Sequence, residues 1–357
     1  MLRFVAHRLL AAAAVLFAVS AATFALYYAV PNDPGYFLTG TVNIDPAELA
    51  KARETLGVDQ PVWRQYVAFL SRLSQGDLGI SWSLSSDPVT GRFVRVPVSG
   101  VVLDAARVTT SLAIGGAVVL MLLAAPLGAL AASRRGTWVD RALLAVAVAA
   151  VSTHPIVVGL VLRLFAADRL GLAPPGGYCS LASKPRNPDL AGLDPARREL
   201  LGDCSGPVAW ASHLALPWLT FGLVFLALYL RTVRAGMLDQ LGEDYVRTAR
   251  AKGAPEARVL RQAFRNAMAP VVTMLGMDVA LALGAAIYVE TAFGLPGLGR
   301  LALVAFSGEP SYDLPVIVAV ILVVATTIVV VNLIVDLVVV AADPRLRIDA
   351  SLGSARR

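Results

Sequence analysis

Charged side chains are scarce in this sequence. Only 16% of its 357 residues are Asp, Glu, Lys or Arg, whereas a soluble domain has about 25%. Apolar residues make up 57% of the chain, compared with roughly 45–50% in soluble domains. This shortage of charge excludes an ordinary soluble protein and indicates a chain that lies largely within a membrane.

Motifs for nucleotide binding and catalysis are also missing. The chain contains no G-x-x-x-x-G-K-[S/T] sequence, which excludes ATP binding through a phosphate loop. The three histidines are scattered, so we predict no metal site and no cofactor bound by this chain. Ser152 and His154 are two residues apart and would point to different faces of a helix. Since no paired acidic cluster accompanies them, an intramembrane enzyme is the disfavoured alternative, and we predict no catalytic residues.

Long apolar runs are what the sequence does contain. Several windows of about 18 or more residues carry almost no charge, which is the length that a helix needs to cross the hydrocarbon core. These runs do not alternate as the strands of a membrane barrel would. We therefore predict an all-α integral membrane protein with about six transmembrane helices, at residues 9–30, 109–132, 141–166, 211–230, 270–289 and 315–342.

The first apolar run has two interpretations. Arg3, His7 and Arg8 precede a run that ends in small residues, as in a secretory signal. The run is longer than the usual 7–15 residues of the apolar region of a signal. We favour a retained anchor helix within residues 1–30.

Basic residues indicate the orientation in the membrane. Lys and Arg are concentrated in the short segments that would share one side, at residues 3–8, 134–141, 231–265 and 345–357. This pattern places both termini in the cytoplasm. The predicted organisation is an anchor at residues 1–30, an external segment at 31–108, a five-helix core at 109–342 and a cytoplasmic tail at 343–357. The net charge of +6 then reflects topology, and no nucleic-acid partner is expected.

The two cysteines, Cys179 and Cys204, both fall in the predicted external loop at residues 179–204. An oxidising compartment allows such cysteines to pair. We predict a disulfide between them, with two free thiols as the alternative.

Polar residues inside the apolar runs are candidates for the translocation path, because burying them in lipid is costly. Asp278 lies about two turns into the fifth run, and Asn332 lies in the sixth. We predict that Asp278 and Asn332 face a translocation path. A hydrogen bond between helices and a position near the membrane interface stay open as alternatives for Asp278.

A basic insert separates the fourth and fifth runs. The stretch RTARAKGAPEARVLRQAFRNAMAP at residues 247–270 carries six basic residues and one acidic residue. Acidic residues at the start and basic residues at the end of the preceding segment favour a helix that Gly253 terminates. Pro255 then begins a second helix, with apolar residues on one side and arginines largely on the other. We predict a helix–Gly–helix elbow at residues 243–269.

The elbow has three interpretations. A basic loop at anionic lipid would need no ordered apolar stripe. A nucleic-acid patch would bring more aromatic residues for stacking than Tyr245 and Phe264. A helix presented to a groove on a soluble protein matches the pattern best.

The elbow and the surrounding sequence together resemble a known family. EDYVRTARAKGAPEARVLRQAFRNAMAPVVTMLG and AAIYVETAFGLPGLGRL are similar to the membrane permease subunit of peptide-type ABC importers, in the first-permease form of the oligopeptide, dipeptide and nickel branch. VPNDP, LGVDQPVWRQYVAFL, GDLGISW, HLALPWLTFGL and LRTVRAGMLDQL extend the resemblance along nearly the whole chain. The general importer pattern E-A-A-x-x-x-G, followed later by I-x-L-P, carries over directly at Ala249 and Gly253 only. The glutamate and the middle alanine are replaced, and RNAMAP stands in place of the I-x-L-P end; both departures resemble the peptide-type branch.

This resemblance implies a type I ABC importer permease fold in the cytoplasmic membrane. It implies a second homologous permease, two cytoplasmic ATPase subunits that use ATP and Mg, an external substrate-binding protein and membrane lipid as partners. Coupling to the ATPase would involve Asp244, Tyr245, Arg247, Ala249, Arg250, Ala251, Lys252 and Gly253. Short peptides are the expected substrate, and nickel or another small solute is the alternative. A transporter that works without ATP would more often show an internal repeat and broken helices, and the sequence shows neither.

Overall fold

The computed structural model describes residues 2–29, 46, 60–82, 96–181, 204–307 and 312–342. Within these residues the regular elements are helices, which confirms the all-α class. They are α1 Leu2–Ala29, α2 Val62–Ser74, α3 Val98–Ser133, α4 Trp138–Ser152, α5 Pro155–Leu162 with a π-helical continuation Arg163–Arg169, α6 Pro207–Gly242, α7 Asp244–Ala251, α8 Glu256–Met277, α9 Val279–Phe293, α10 Leu298–Ser307 and α11 Leu314–Ala342. The predicted cytoplasmic tail at 343–357 and most of the external segment at 31–59 and 83–95 lie outside the described residues.

The chain divides into two compact units. One unit comprises residues 1–106 and 301–357, and the other comprises residues 107–300. The division of the sequence into anchor, external segment, core and tail stays a prediction.

In the first unit, α1 packs along α11, and the C-terminal half of α1 also contacts α2. Arg8 Nη1 lies 2.8 Å from Asp336 Oδ2, which joins α1 to α11. The hydroxyl groups of Ser20 and Tyr66 are hydrogen bonded at 2.9 Å, and the Tyr66 ring lies 5.2 Å from that of Phe24. Tyr66 therefore holds α2 against α1.

In the second unit, α6 is the central helix. Its buried face continues from the apolar part into the C-terminal part, because Val233 and Met237 are as buried as Leu214 near the start of the helix. This explains why α6 extends well past the predicted end at residue 230. Small residues of α3 admit α6 closely: a Cβ atom at Gly116 would lie 2.6 Å from the Phe221 ring, and one at Gly128 would lie 2.7 Å from Val233.

The third and fifth apolar runs are broken, which corrects the prediction of continuous helices at 141–166 and 270–289. The chain bends by 107° between α4 and α5, and by 63° between α8 and α9. Four helices are long and apolar enough to cross a membrane, and the number rises to six if each bent pair is one span. The prediction that the chain has no broken helices, which counted against a transporter that works without ATP, is therefore wrong.

The first break has a local cause. Pro155 has no backbone N–H and disfavours a helical conformation at the residue before it, and His154 accordingly has a ψ of 137°. The Ser152 hydroxyl donates to the Val148 carbonyl, whereas His154 Nδ1 accepts a hydrogen bond from the Ile156 amide at 3.4 Å. The Ser152 side chain is thus hydrogen bonded within the last turn of α4, and the His154 side chain caps the start of α5.

Candidate functional site

The elbow has the helix–Gly–helix geometry that the sequence predicts. Gly253 follows α7 with a φ of +75°, a conformation that favours glycine. Its amide donates to the Arg250 carbonyl, and the Ala254 amide donates to the Ala249 carbonyl, each at 3.0 Å. These two hydrogen bonds form the Schellman motif that ends many helices. Pro255 precedes α8 with a φ of −62°, so the chain turns within four residues.

Apolar side chains fix the elbow to the rest of the second unit. Val246 of α7 is buried, as are Val259, Ala263 and Ala267 on one face of α8. The last two belong to the same apolar cluster as Met237 of α6. The elbow is therefore packed onto the C-terminal end of α6.

Polar contacts connect the two helices of the elbow. The Tyr245 hydroxyl donates to Gln240 Oε1 of α6 at 3.0 Å and accepts from Asn266 Nδ2 of α8 at 3.3 Å. Arg250 of α7 donates two hydrogen bonds to Glu256 of α8, at 3.2 and 2.7 Å. These hydrogen bonds raise the pKa of the Arg250 guanidinium above its ordinary value, so this side chain stays charged.

The outward face of α7 is polar and exposed. The predicted coupling residues differ in whether they lie on this exposed face. Tyr245 and Ala249 are partly buried, and the exposed members are Asp244, Arg247, Arg250, Ala251, Lys252 and Gly253. A short helix that is fixed from behind and exposed in front can be inserted into a groove on another protein.

An ion pair behind the elbow was not predicted from the sequence. Arg234 of α6 donates from Nε and Nη2 to the two carboxylate oxygens of Asp140 in α4, each at 2.7 Å. The Gly136 amide donates to Asp140 Oδ2 at 3.0 Å. Asp140 is buried, and Arg234 lies in LRTVRAGMLDQL just before the elbow. This pair ties the start of α4 to the C-terminal part of α6.

The buried carboxylate of Glu290, near the C-terminal end of α9, was also not predicted from the sequence. Thr109 Oγ1 donates to Glu290 Oε1 at 2.6 Å, and the Arg300 amide donates to Glu290 Oε2 at 3.0 Å. Thr109 Oγ1 itself accepts from the Leu298 amide at 2.8 Å. A Cβ atom at Gly297 would collide with the Glu290 carboxylate. Glu290 thus holds the chain after α9 against α3.

The two candidate residues of the translocation path occupy different surroundings. Asp278 lies at the break between α8 and α9, where its Oδ2 accepts a hydrogen bond from the Tyr229 hydroxyl at 2.8 Å. Asn332 is exposed on α11 in the other unit. A path-lining role for Asp278 and Asn332 stays a prediction.

Cys179 and Cys204 are joined by a disulfide, with their Cα atoms 4.9 Å apart. His213 lies against this bond, because its Nδ1 is 3.3 Å from Cys179 Sγ and 2.9 Å from the Ala209 carbonyl oxygen. The sequence did not indicate this position of His213 beside the two cysteines. The two sulfur atoms and the ring nitrogen have the spacing of a metal-ligand group. The sulfur atoms are bonded to each other and are not thiolates, which are the form that binds metals.

Comparisons with known proteins cover the elbow and nearly all of the chain. Residues 124–348 match the family model described as "Binding-protein-dependent transport system inner membrane component", and residues 1–113 match the model for the N-terminal part of such components. The chain is 34% identical over 350 residues to the dipeptide transport system permease protein of Escherichia coli (strain K12), covering 97% of this chain and 99% of that protein. It is 35% identical to the di/tripeptide transport system permease protein of Pseudomonas aeruginosa (strain UCBPP-PA14), covering 97% of this chain and 99% of that protein. It is 33% identical to the glutathione transport system permease protein of Escherichia coli O6:H1, with the same two coverages.

Proposed function

Because the chain belongs to the family of binding-protein-dependent transport system inner membrane components, we propose that it forms half of the path by which an importer carries short peptides. The chain is a multi-pass inner-membrane permease subunit of an ABC importer. Permease subunits of this family transport solutes and are not catalytic themselves. The observation that supports the peptide assignment is the 33–35% identity, over 97% of this chain, to permeases named for dipeptides, di/tripeptides and glutathione.

The remaining parts of the importer would come from partner proteins. A second homologous permease would complete the path, and an external binding protein would deliver the peptide. Two cytoplasmic ATPase subunits would bind ATP and Mg, since this chain has no phosphate loop. The exposed polar face of α7, fixed from behind by Val246, supports docking of the elbow in one of these ATPases.

Movement of a docked elbow would pass directly into the membrane helices. Because Arg250–Glu256 and Tyr245–Asn266 connect α7 to α8, the two helices would move together. Helix α8 continues to the break at Asp278, where α9 changes direction. Closing of the ATPases on ATP would therefore reorient α8 and α9, and access to the path would change from one side to the other.

Uptake measurements in cells test the substrate. Labelled peptides of two to five residues are supplied to cells with the gene, without it and with the gene restored, and nickel uptake serves as the control. We expect peptide uptake to fall without the gene and to return with it, while nickel uptake stays unchanged. Equal peptide uptake in all three strains, or loss of nickel uptake alone, would overturn the peptide assignment.

A further inference from the structure

An open apolar groove of about 280 Å³ lies beside the elbow in the second unit. It is formed by the last turn of α3, by α6 and by the first half of α8. Its principal lining residues are Leu130, Ser133, Met237, Leu260, Arg261 and Phe264. Arg261 is the only cation among the residues that line it in the described part of the chain.

The sequence around the groove indicates that it lies at the level of the cytoplasmic membrane surface. Helix α3 ends at Ser133 and is followed directly by Arg134 and Arg135, which mark the cytoplasmic end of an apolar helix. Leu260 and Phe264 precede Pro270, where the fifth apolar run begins, by about two to three turns of helix. Lipid headgroups and the upper parts of acyl chains occupy this depth.

The charge at the rim of the groove indicates an anion. Arg261 is exposed and makes no hydrogen bond or ion pair with any residue that the structure describes. Arg258 and Arg265 are exposed on the same helix, three residues before and four residues after it. The cytoplasmic leaflet carries anionic lipids that basic segments attract.

From this geometry we propose that the groove binds one anionic phospholipid of the cytoplasmic leaflet. An acyl chain lies against Met237, Leu260 and Phe264, and the phosphodiester accepts hydrogen bonds from the Arg261 guanidinium. The apolar lining fits an acyl chain, and the exposed arginines at the rim fit the negative charge of a phospholipid headgroup. This lipid site is independent of which solute the importer carries.

The test uses the complete importer purified in detergent and measures bound lipid by native mass spectrometry. Phosphatidylglycerol and phosphatidylcholine with identical acyl chains are added separately. The variants are Arg261→Gln, which removes the charge at the rim, and Leu260→Trp, which fills the groove. Arg258→Gln is the matched control, since Arg258 is exposed on the same helix and does not line the groove.

We expect phosphatidylglycerol to bind more tightly than phosphatidylcholine, and Arg261→Gln to weaken phosphatidylglycerol binding by about tenfold. Leu260→Trp weakens both lipids, and Arg258→Gln has a much smaller effect. Equal losses from Arg261→Gln and Arg258→Gln would show diffuse surface attraction and overturn the site. A thiol cross-link from Ser133→Cys to another subunit would show that protein covers the groove, and this too would overturn the proposal.

Discussion

Arg234 and Asp140 are joined by two hydrogen bonds of 2.7 Å between the C-terminal part of α6 and the start of α4. The pair lies next to the apolar cluster that holds the elbow, because Val233 and Met237 flank Arg234 in α6. It therefore connects the support of the elbow to the start of the third apolar run.

Removing one partner of this pair should destabilise the second unit. Asp140→Asn leaves the Arg234 guanidinium, which is only 23% exposed, without its counter-charge. Breaking a buried ion pair costs about 3–5 kcal/mol, and the partial exposure of Arg234 places the expected loss near the lower end. Denaturant unfolding of the purified protein measures it. Arg231→Gln, at an exposed position on the same helix, should change stability by less than about 0.5 kcal/mol. Equal losses in the two variants would contradict a structural role for the pair.

Replacing Gly253 should separate ATP hydrolysis from transport. A valine at a φ of +75° costs about 1–2 kcal/mol, which the chain can avoid by changing the angle between α7 and α8. We expect Gly253→Val to reduce uptake by about tenfold in proteoliposomes, while the ATPase activity of the complex persists. Gly242→Val is the control, because Gly242 lies outside the elbow turn and a Cβ atom there meets nothing within 4 Å. Normal uptake by Gly253→Val at normal abundance would argue against a rigid elbow.

Glu290 should not tolerate replacement by its amide. Thr109 Oγ1 accepts from the Leu298 amide, so its own proton is directed at Glu290 Oε1, while the Arg300 amide is directed at Oε2. Both oxygens are therefore acceptors, and the NH2 group of a glutamine would face one of these donors. We expect Glu290→Gln to lower the unfolding free energy by about 1–3 kcal/mol, measured by denaturant unfolding. A stability equal to that of the unchanged protein would show that these contacts contribute little.

The disulfide should stabilise the connection between the π-helical segment and α6. The bond closes a loop with a sequence separation of 25 residues, for which loop entropy gives about 3–4 kcal/mol. Cys179→Ser with Cys204→Ser should lower the thermal midpoint of the purified protein. Adding a reductant should lower the midpoint of the unchanged protein and leave that of the double variant where it is. A midpoint of the unchanged protein that does not respond to reductant under unfolding conditions would contradict this contribution.

Features that depend on local sequence were predictable. Apolar runs of membrane-spanning length identify the helices. Gly253 and Pro255 mark the elbow, because glycine permits the left-handed conformation that ends a helix and proline fixes its own φ. The break at Asp278 was missed although it lies inside a predicted run. Hydropathy averages over the whole run and does not register a single residue that leaves the helical conformation.

Contacts between distant residues were not predictable. Asp140 and Arg234 are 94 positions apart, and neither local sequence indicates that the two residues pair. The contact between His213 and Cys179 was not predicted for the same reason, since the two residues are brought together only by the packing of the connection before α6 onto that helix. Such pairs depend on how the helices pack, which a single sequence does not state.

Cross-linking from α7 tests most directly whether the elbow is seated in an ATPase. A cysteine is introduced at the exposed Ala251, and a second variant carries it at Leu172, which is exposed in the connection predicted to lie outside. A thiol-to-amine reagent is then applied to the assembled importer. We expect Ala251→Cys to give an adduct with an ATP-hydrolysing subunit and Leu172→Cys to give none. No adduct from Ala251→Cys, with the importer intact and active, would contradict docking of the elbow.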